Sequence, residues 1–112
     1  MKITDISKLP ISKNPHQVDA RQVYDSEYAT VAVITLQPGE SLKKHITPVD
    51  VFFYVLEGTG TVEIGDEQET ITKDMLVESP AKIPHRWLNE SDRVFRVLVV
   101  KVPRPTTETK LL

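Results

Sequence analysis

Val51-Phe52-Phe53-Tyr54-Val55-Leu56-Glu57-Gly58-Thr59-Gly60-Thr61-Val62-Glu63-Ile64-Gly65-Asp66-Glu67-Gln68-Glu69-Thr70-Ile71-Thr72 is the stretch that decides the fold. Its first six residues are apolar or aromatic on both parities. They read as a strand buried on both faces, or covered on one by a partner. Gly58 and Gly60 stop it. Thr61 to Ile64 alternates Thr/Val/Glu/Ile, the period of a half-buried strand. Gly65-Asp66-Glu67 supplies a turn, and Glu69 to Thr72 alternates again, which closes a hairpin.

Outward from this hairpin, strand signals follow at short intervals. Tyr28 to Leu36 is rich in β-branched residues and stopped by Pro38-Gly39, and Met75 to Val77, His85 to Leu88 and Val94 to Val102 complete the set. Apolar residues nowhere recur over a long stretch at three- and four-residue spacing, so no substantial helix is expected. The pattern predicts one all-β domain, an antiparallel barrel or jelly-roll sandwich. Residues 1–20, with Pro10 and Pro15, read as an arm. Residues 21–102 form the barrel and 103–112 a frayed or draped tail.

The chain has 112 residues, enough for one core without covalent staples, and no cysteine. Disulfides and thiolate metal sites are thereby excluded. With 14 basic and 16 acidic residues it carries no electrostatic footprint for nucleic acid. Lys43-Lys44 is the only lysine pair and reads as a solvated strand end. Met1 to Asp5 is charged where a signal peptide needs an apolar run, and Val97 to Val100 is too short to span a bilayer. The expectation is a cytoplasmic protein with no membrane partner.

Two stretches fix spacings around histidine. The first runs Gly39, five residues, His45, one residue, Thr47, three residues, Val51, six residues, Gly58. The second runs Asp74, five residues, Pro80, one residue, Lys82, two residues, His85, three residues, Asn89. Residues two apart on a strand share a face, so His45 and Thr47 point together, joined by Val51 where no bulge intervenes. His45 and His85 are expected to face one cavity.

The spacing resembles the paired motifs of the cupin superfamily, small single-domain β-barrels. That family reads Gly-x5-His-x-His-x3/4-Glu-x6-Gly, then Gly-x5-Pro-x-Gly-x2-His-x3-Asn. Gly39, His45, Gly58, Pro80, His85 and Asn89 fit without a gap. The resemblance implies a divalent metal (Zn, Fe, Mn, Ni or Cu) held by two histidines and a glutamate from the first motif and a histidine from the second. Position by position, His45 and His85 keep two of those roles as metal ligands, while Thr47 and Val51 replace the other two. A neutral hydroxyl is a poor ligand and valine is none. The remaining pair falls short of the three protein ligands of catalytic zinc and of the two-histidine, one-carboxylate iron set. Asp50 lies one residue out of register and Glu57 at the strand's end. Asp74 and Lys82 stand where the family has glycines.

Beside the metal reading stands an apolar one. Valine in place of a charged ligand dries the cavity, and Phe53 and Trp87 share the parity of the histidines. The expected ligand pocket is therefore His45, Thr47, Val51, Phe53, His85 and Trp87, apolar with a few placed polar groups, Trp87 being either its floor or ordinary core. Arg86 should turn away from it, and His16, in the Pro-rich arm, reads as a surface residue.

Two functions follow. One is a small-molecule-binding protein independent of a full metal site. The other is a metal-dependent enzyme (an isomerase, epimerase or oxygenase) using His45 and His85. In its metal-free form one histidine serves as general base. Open sheet edges and the resemblance further imply a homodimer, through residues 1–25 or the outward Phe52 and Tyr54, which light scattering would read directly.

Overall fold

A computed structural model describes all residues 1–112. The elements in chain order are a three-residue 3-10 turn (Ile6–Lys8) and ten strands: β1 (Asp19–Asp25), β2 (Thr30–Leu36), β3 (His45–Ile46), β4 (Asp50–Glu57), β5 (Thr59–Ile64), β6 (Glu67–Thr72), β7 (Leu76–Ser79), β8 (His85–Leu88), β9 (Phe95–Val102) and β10 (Lys110–Leu111). They form two five-stranded antiparallel sheets, ordered β1-β2-β9-β4-β7 and β10-β3-β8-β5-β6. The fold is a double-sheet jelly roll, as the hairpin and strand spacing led us to expect. No helix is long and apolar enough to cross a membrane.

Strand parity decides what faces inward. On β4, Val51, Phe53 and Val55 are buried, paired in register with Lys101, Val99 and Val97 of β9. Leu36, Val62, Trp87 and Phe95 close the same core. Phe52 and Tyr54 turn to the outer face and are half-buried there. That explains why β4 is apolar on both parities.

The flanking segments are better anchored than their composition suggested. β1 begins at Asp19 and pairs with β2, and Arg21 donates to the carbonyls of Ile6 and Ser7, tying the 3-10 turn down. Residues 110–111 return as β10 beside β3, and the Arg104 guanidinium grips the Asp25 carboxylate at 2.7 Å. Neither segment has strand periodicity to read, because two-residue ladders and side-chain anchors leave no period.

The two positions where the resemblance implies glycine keep the glycine backbone. Asp74 has φ +69° and Lys82 φ +66°, both left-handed. Aspartate tolerates that region through local hydrogen bonding, whereas lysine carries a cost of roughly 1–2 kcal/mol. Lys82 is held there by its N–H donating to the Thr47 carbonyl at 2.9 Å.

Candidate functional site

β3 and β8 meet at a single residue pair, and that pair is His45 opposite His85. Their rings stand edge to face with centroids 4.5 Å apart. Between the two sheets lies a partly open cavity of about 430 Å³, lined among others by His45, Thr47, Val51, Phe53 and His85. The parity argument thus brings five of the six expected pocket residues to one cavity, His45, Thr47 and His85 from one sheet facing Val51 and Phe53 from the other.

The sixth, Trp87, read as either pocket floor or ordinary core, does not line the cavity. It lies one layer deeper, wholly buried beside Phe53 and Phe95 with ring centroids at 5.4 and 5.1 Å. It has the right parity, yet Phe53 from the facing sheet covers it. Trp87 is core.

His16 is displaced inward. Read as a surface residue, it is half-buried and packs its ring 4.9 Å from that of His45. The turn that carries it is held by Asn14, whose Oδ1 accepts from the His16 N–H and whose Nδ2 donates to the Val18 carbonyl. Six rings, His16, His45, His85, Phe53, Trp87 and Phe95, therefore run in one column from the mouth of the cavity into the core.

Hydrogen bonds fix which nitrogens are free. The Lys43 carbonyl lies 2.7 Å from His45 Nδ1 and can only accept, so neutral His45 carries its proton on Nδ1 and its lone pair on Nε2. Lys43 N–H donates to His16 Nδ1 at 2.9 Å, so neutral His16 carries its proton on Nε2. One backbone residue thereby sets two imidazoles in opposite tautomers. His85 has no free nitrogen, since the Ser79 and Thr47 hydroxyls lie 2.7 and 3.3 Å from Nδ1 and Nε2.

Desolvation pushes His16 down to about 4 and His85 down to about 3, and it lowers His45 as well. Charges nearby add to this: protonation of His45 disfavours that of His16 and His85, and the Lys101 ammonium adds a smaller push against protonation of all three rings. The unfolded chain takes up these protons near the ordinary value of 6.5, so below that pH it binds more protons than the folded one. Stability is therefore full above pH 6.5 and falls as the pH drops toward 4 and 3. His85, the best shielded of the three, accounts for roughly 2 kcal/mol by pH 5. Urea unfolding at pH 7 and pH 5 is expected to differ by at least that much, and by clearly less in His85→Gln. A flat profile over this window would mean the rings are not held neutral.

Lys101 is the residue that sequence reading passed over. It sits on the inner parity of β9 after Phe95, Val97 and Val99, directly opposite Val51. Its signal was available, as a lysine on the buried phase of an apolar strand. Burial lowers its pKa, and its one hydrogen bond goes to the Thr109 hydroxyl at 3.3 Å. The four ion pairs of the molecule, Arg21–Asp19, Lys44–Glu63, Arg86–Glu63 and Arg104–Asp25, leave it out.

These donors do not fit a catalytic first-row metal. His45 Nε2 is the one imidazole nitrogen with a lone pair to give. His16 would first have to lose its Nε2 proton, and His85 would have to break from a hydroxyl. No group of three His, Cys, Asp or Glu side chains converges. Asp50 is exposed and accepts from the Ala81 N–H, and Glu57 is exposed at the strand end. An ammonium opposite Val51 repels a cation where the resemblance implies a carboxylate to attract one.

The remaining motif residues build loops. Asn89 is buried and donates to the carbonyls of Leu36 and Arg93 while accepting from Ser91. Arg86 turns to the outer face and binds Glu63 through two hydrogen bonds.

Comparison with known proteins agrees with this architecture. Residues 32–101 match the sequence profile of the Cupin domain family. The structure of TT1209 from Thermus thermophilus is 34% identical, with 94% of this chain and 100% of that one covered, at a TM-score of 0.80. The polyketide cyclase RemF from Streptomyces resistomycificus superposes at a TM-score of 0.85 with 19% identity, covering 100% of this chain and 85% of that one. A predicted oxalate decarboxylase from Thermotoga maritima gives 0.82 with 15% identity, covering 91% and 99%. At such identities these last two likenesses concern the fold alone. No curated protein matches by sequence. The profile match, the 34% relative and the jelly roll together establish that this chain belongs to the cupin domain family.

Proposed function

We propose that this chain is a metal-independent cupin that binds one small organic molecule in the cavity between its sheets. The observation that carries this reading is the wall opposite the histidines. There the position implied to hold a metal-binding carboxylate is Val51, and its cross-strand neighbour is the ammonium of Lys101. The cavity volume of about 430 Å³ lies within the usual range for small-molecule pockets. Ile34, Leu42, Val51, Phe53 and Val99 give it apolar walls, and Thr47, His45 and His16 offer a few polar atoms.

The test is elemental analysis after incubation with Zn, Fe, Mn, Ni and Cu in turn and desalting. Metal well below one equivalent per chain is expected in each case, and a chelator should leave thermal stability unchanged. Near-stoichiometric metal that is lost in His45→Ala/His85→Ala would overturn the reading and restore the metal-dependent enzyme.

One observation favours a second reading. The Nε2 lone pair of His45 has no protein partner and is not sealed off by the surrounding atoms, which is the state a general base needs. A metal-free proton-transfer enzyme would use His45 for it, and turnover that survives His45→Gln would remove that reading.

A further inference from the structure

We propose that Lys101 makes the cavity a receptor for an organic carboxylate, pairing with its charged end while the apolar body lies against Val51, Phe53 and Val99. This deepens the reading of the cavity as a small-molecule site and rests on it.

The first ground is charge balance. Every other arginine or lysine among the cavity-lining residues is already paired, Arg21 with Asp19 and Arg104 with Asp25. Lys101 alone faces the interior with no carboxylate in reach. An ammonium has three donors, and Thr109 takes one. A half-buried cation with unused donors is costly to keep unless something anionic completes it.

The second ground is the polarity of the neighbours. His16 lines the same space and carries its proton on Nε2, and one such donor beside a cation suits a carboxylate oxygen. His45 presents the opposite, an acceptor at Nε2. It suits a hydroxyl on the ligand, so a hydroxy acid would use all three groups. The burial that lowers the Lys101 pKa would be offset by the incoming anion.

The test uses matched pairs, each acid beside its neutral amide: benzoate and benzamide, 4-hydroxybenzoate and 4-hydroxybenzamide, hexanoate and hexanamide. Isothermal titration calorimetry on the full chain is expected to show the acids binding about 10- to 100-fold more tightly than the amides, the range of one charge-assisted hydrogen-bonded contact. Lys101→Met keeps the length and apolar stem of the side chain. It should erase that preference, bringing acid and amide affinities together, while Lys101→Arg should retain it in part. A thermal melt on each variant confirms that it is folded. Acids and amides binding equally, or a preference that persists in Lys101→Met, would overturn the assignment and leave the small-molecule cavity standing. Failure of every acid and every amide to bind would overturn both.

Discussion

Truncating Trp87 to alanine is expected to lower the unfolding free energy by about 3–5 kcal/mol. The side chain is wholly buried, and its ring packs against two aromatic neighbours, Phe53 edge to face and Phe95 tilted. Its removal would leave a void that two sheets pinned by backbone ladders cannot collapse around. In a single domain with roughly 5–15 kcal/mol in total, such a loss is enough to unfold part of the population at ambient temperature. A finer expectation concerns the indole nitrogen. Trp87 Nε1 is the one buried side-chain polar atom without a hydrogen-bond partner. An unmet donor of this kind costs about 1–3 kcal/mol. Trp87→Phe discards the donor together with some volume, so it should be much milder than Trp87→Ala, within about 2 kcal/mol of the parent. Urea midpoints of the two variants decide it. Equal destabilisation would show that the indole N–H finds a partner after all.

Gly58→Ala is expected to cost at least about 3 kcal/mol, from two sources that add. Gly58 has φ +82°, a region in which a Cβ carries roughly 1–2 kcal/mol. A Cβ there would also overlap the Val94 carbonyl oxygen and lie 3.2 Å from the Phe95 Cα. Backbone at the entry to β9 has no rotamer to move aside. Gly39 is the control, because its φ is +86° but nothing lies within 4 Å of its ideal Cβ. Gly39→Ala should therefore show the conformational part alone, about 1–2 kcal/mol. Thermal melts giving equal costs for the two would remove the contact argument.

Those two glycines show where the sequence was legible. Both stand in a motif whose spacing was readable, and strand parity then turned His45, Thr47, Val51, Phe53 and His85 toward one cavity. Parity works because a strand has only two faces. It left Trp87 open between core and pocket floor, since parity says which face a residue takes and not whether a ring from the opposite sheet comes between it and the cavity. His16 could not be placed because the contact with Lys43 spans 27 residues and comes from a turn without a period. Lys101 was within reach. A lone charge on the buried phase of Phe95-x-Val97-x-Val99-x-Lys101 is a mismatch that the pattern itself exposes, and such mismatches tend to mark function.

Two segments close the cavity without belonging to its framework. Residues within 12–16 and 104–111 line it, yet these segments attach to the sheets by few bonds, among them the two-residue pairing of β10 with β3, the Arg104–Asp25 clasp and the Leu112 N–H to the Lys44 carbonyl. Fold stability sits in the long ladders β2–β9–β4 and in the aromatic core, whereas the shape of the opening sits in these two straps. Socket and rim are thus mechanically separate. Exchanging the straps would retune which molecules enter, and how fast they leave, while the socket keeps its melting behaviour.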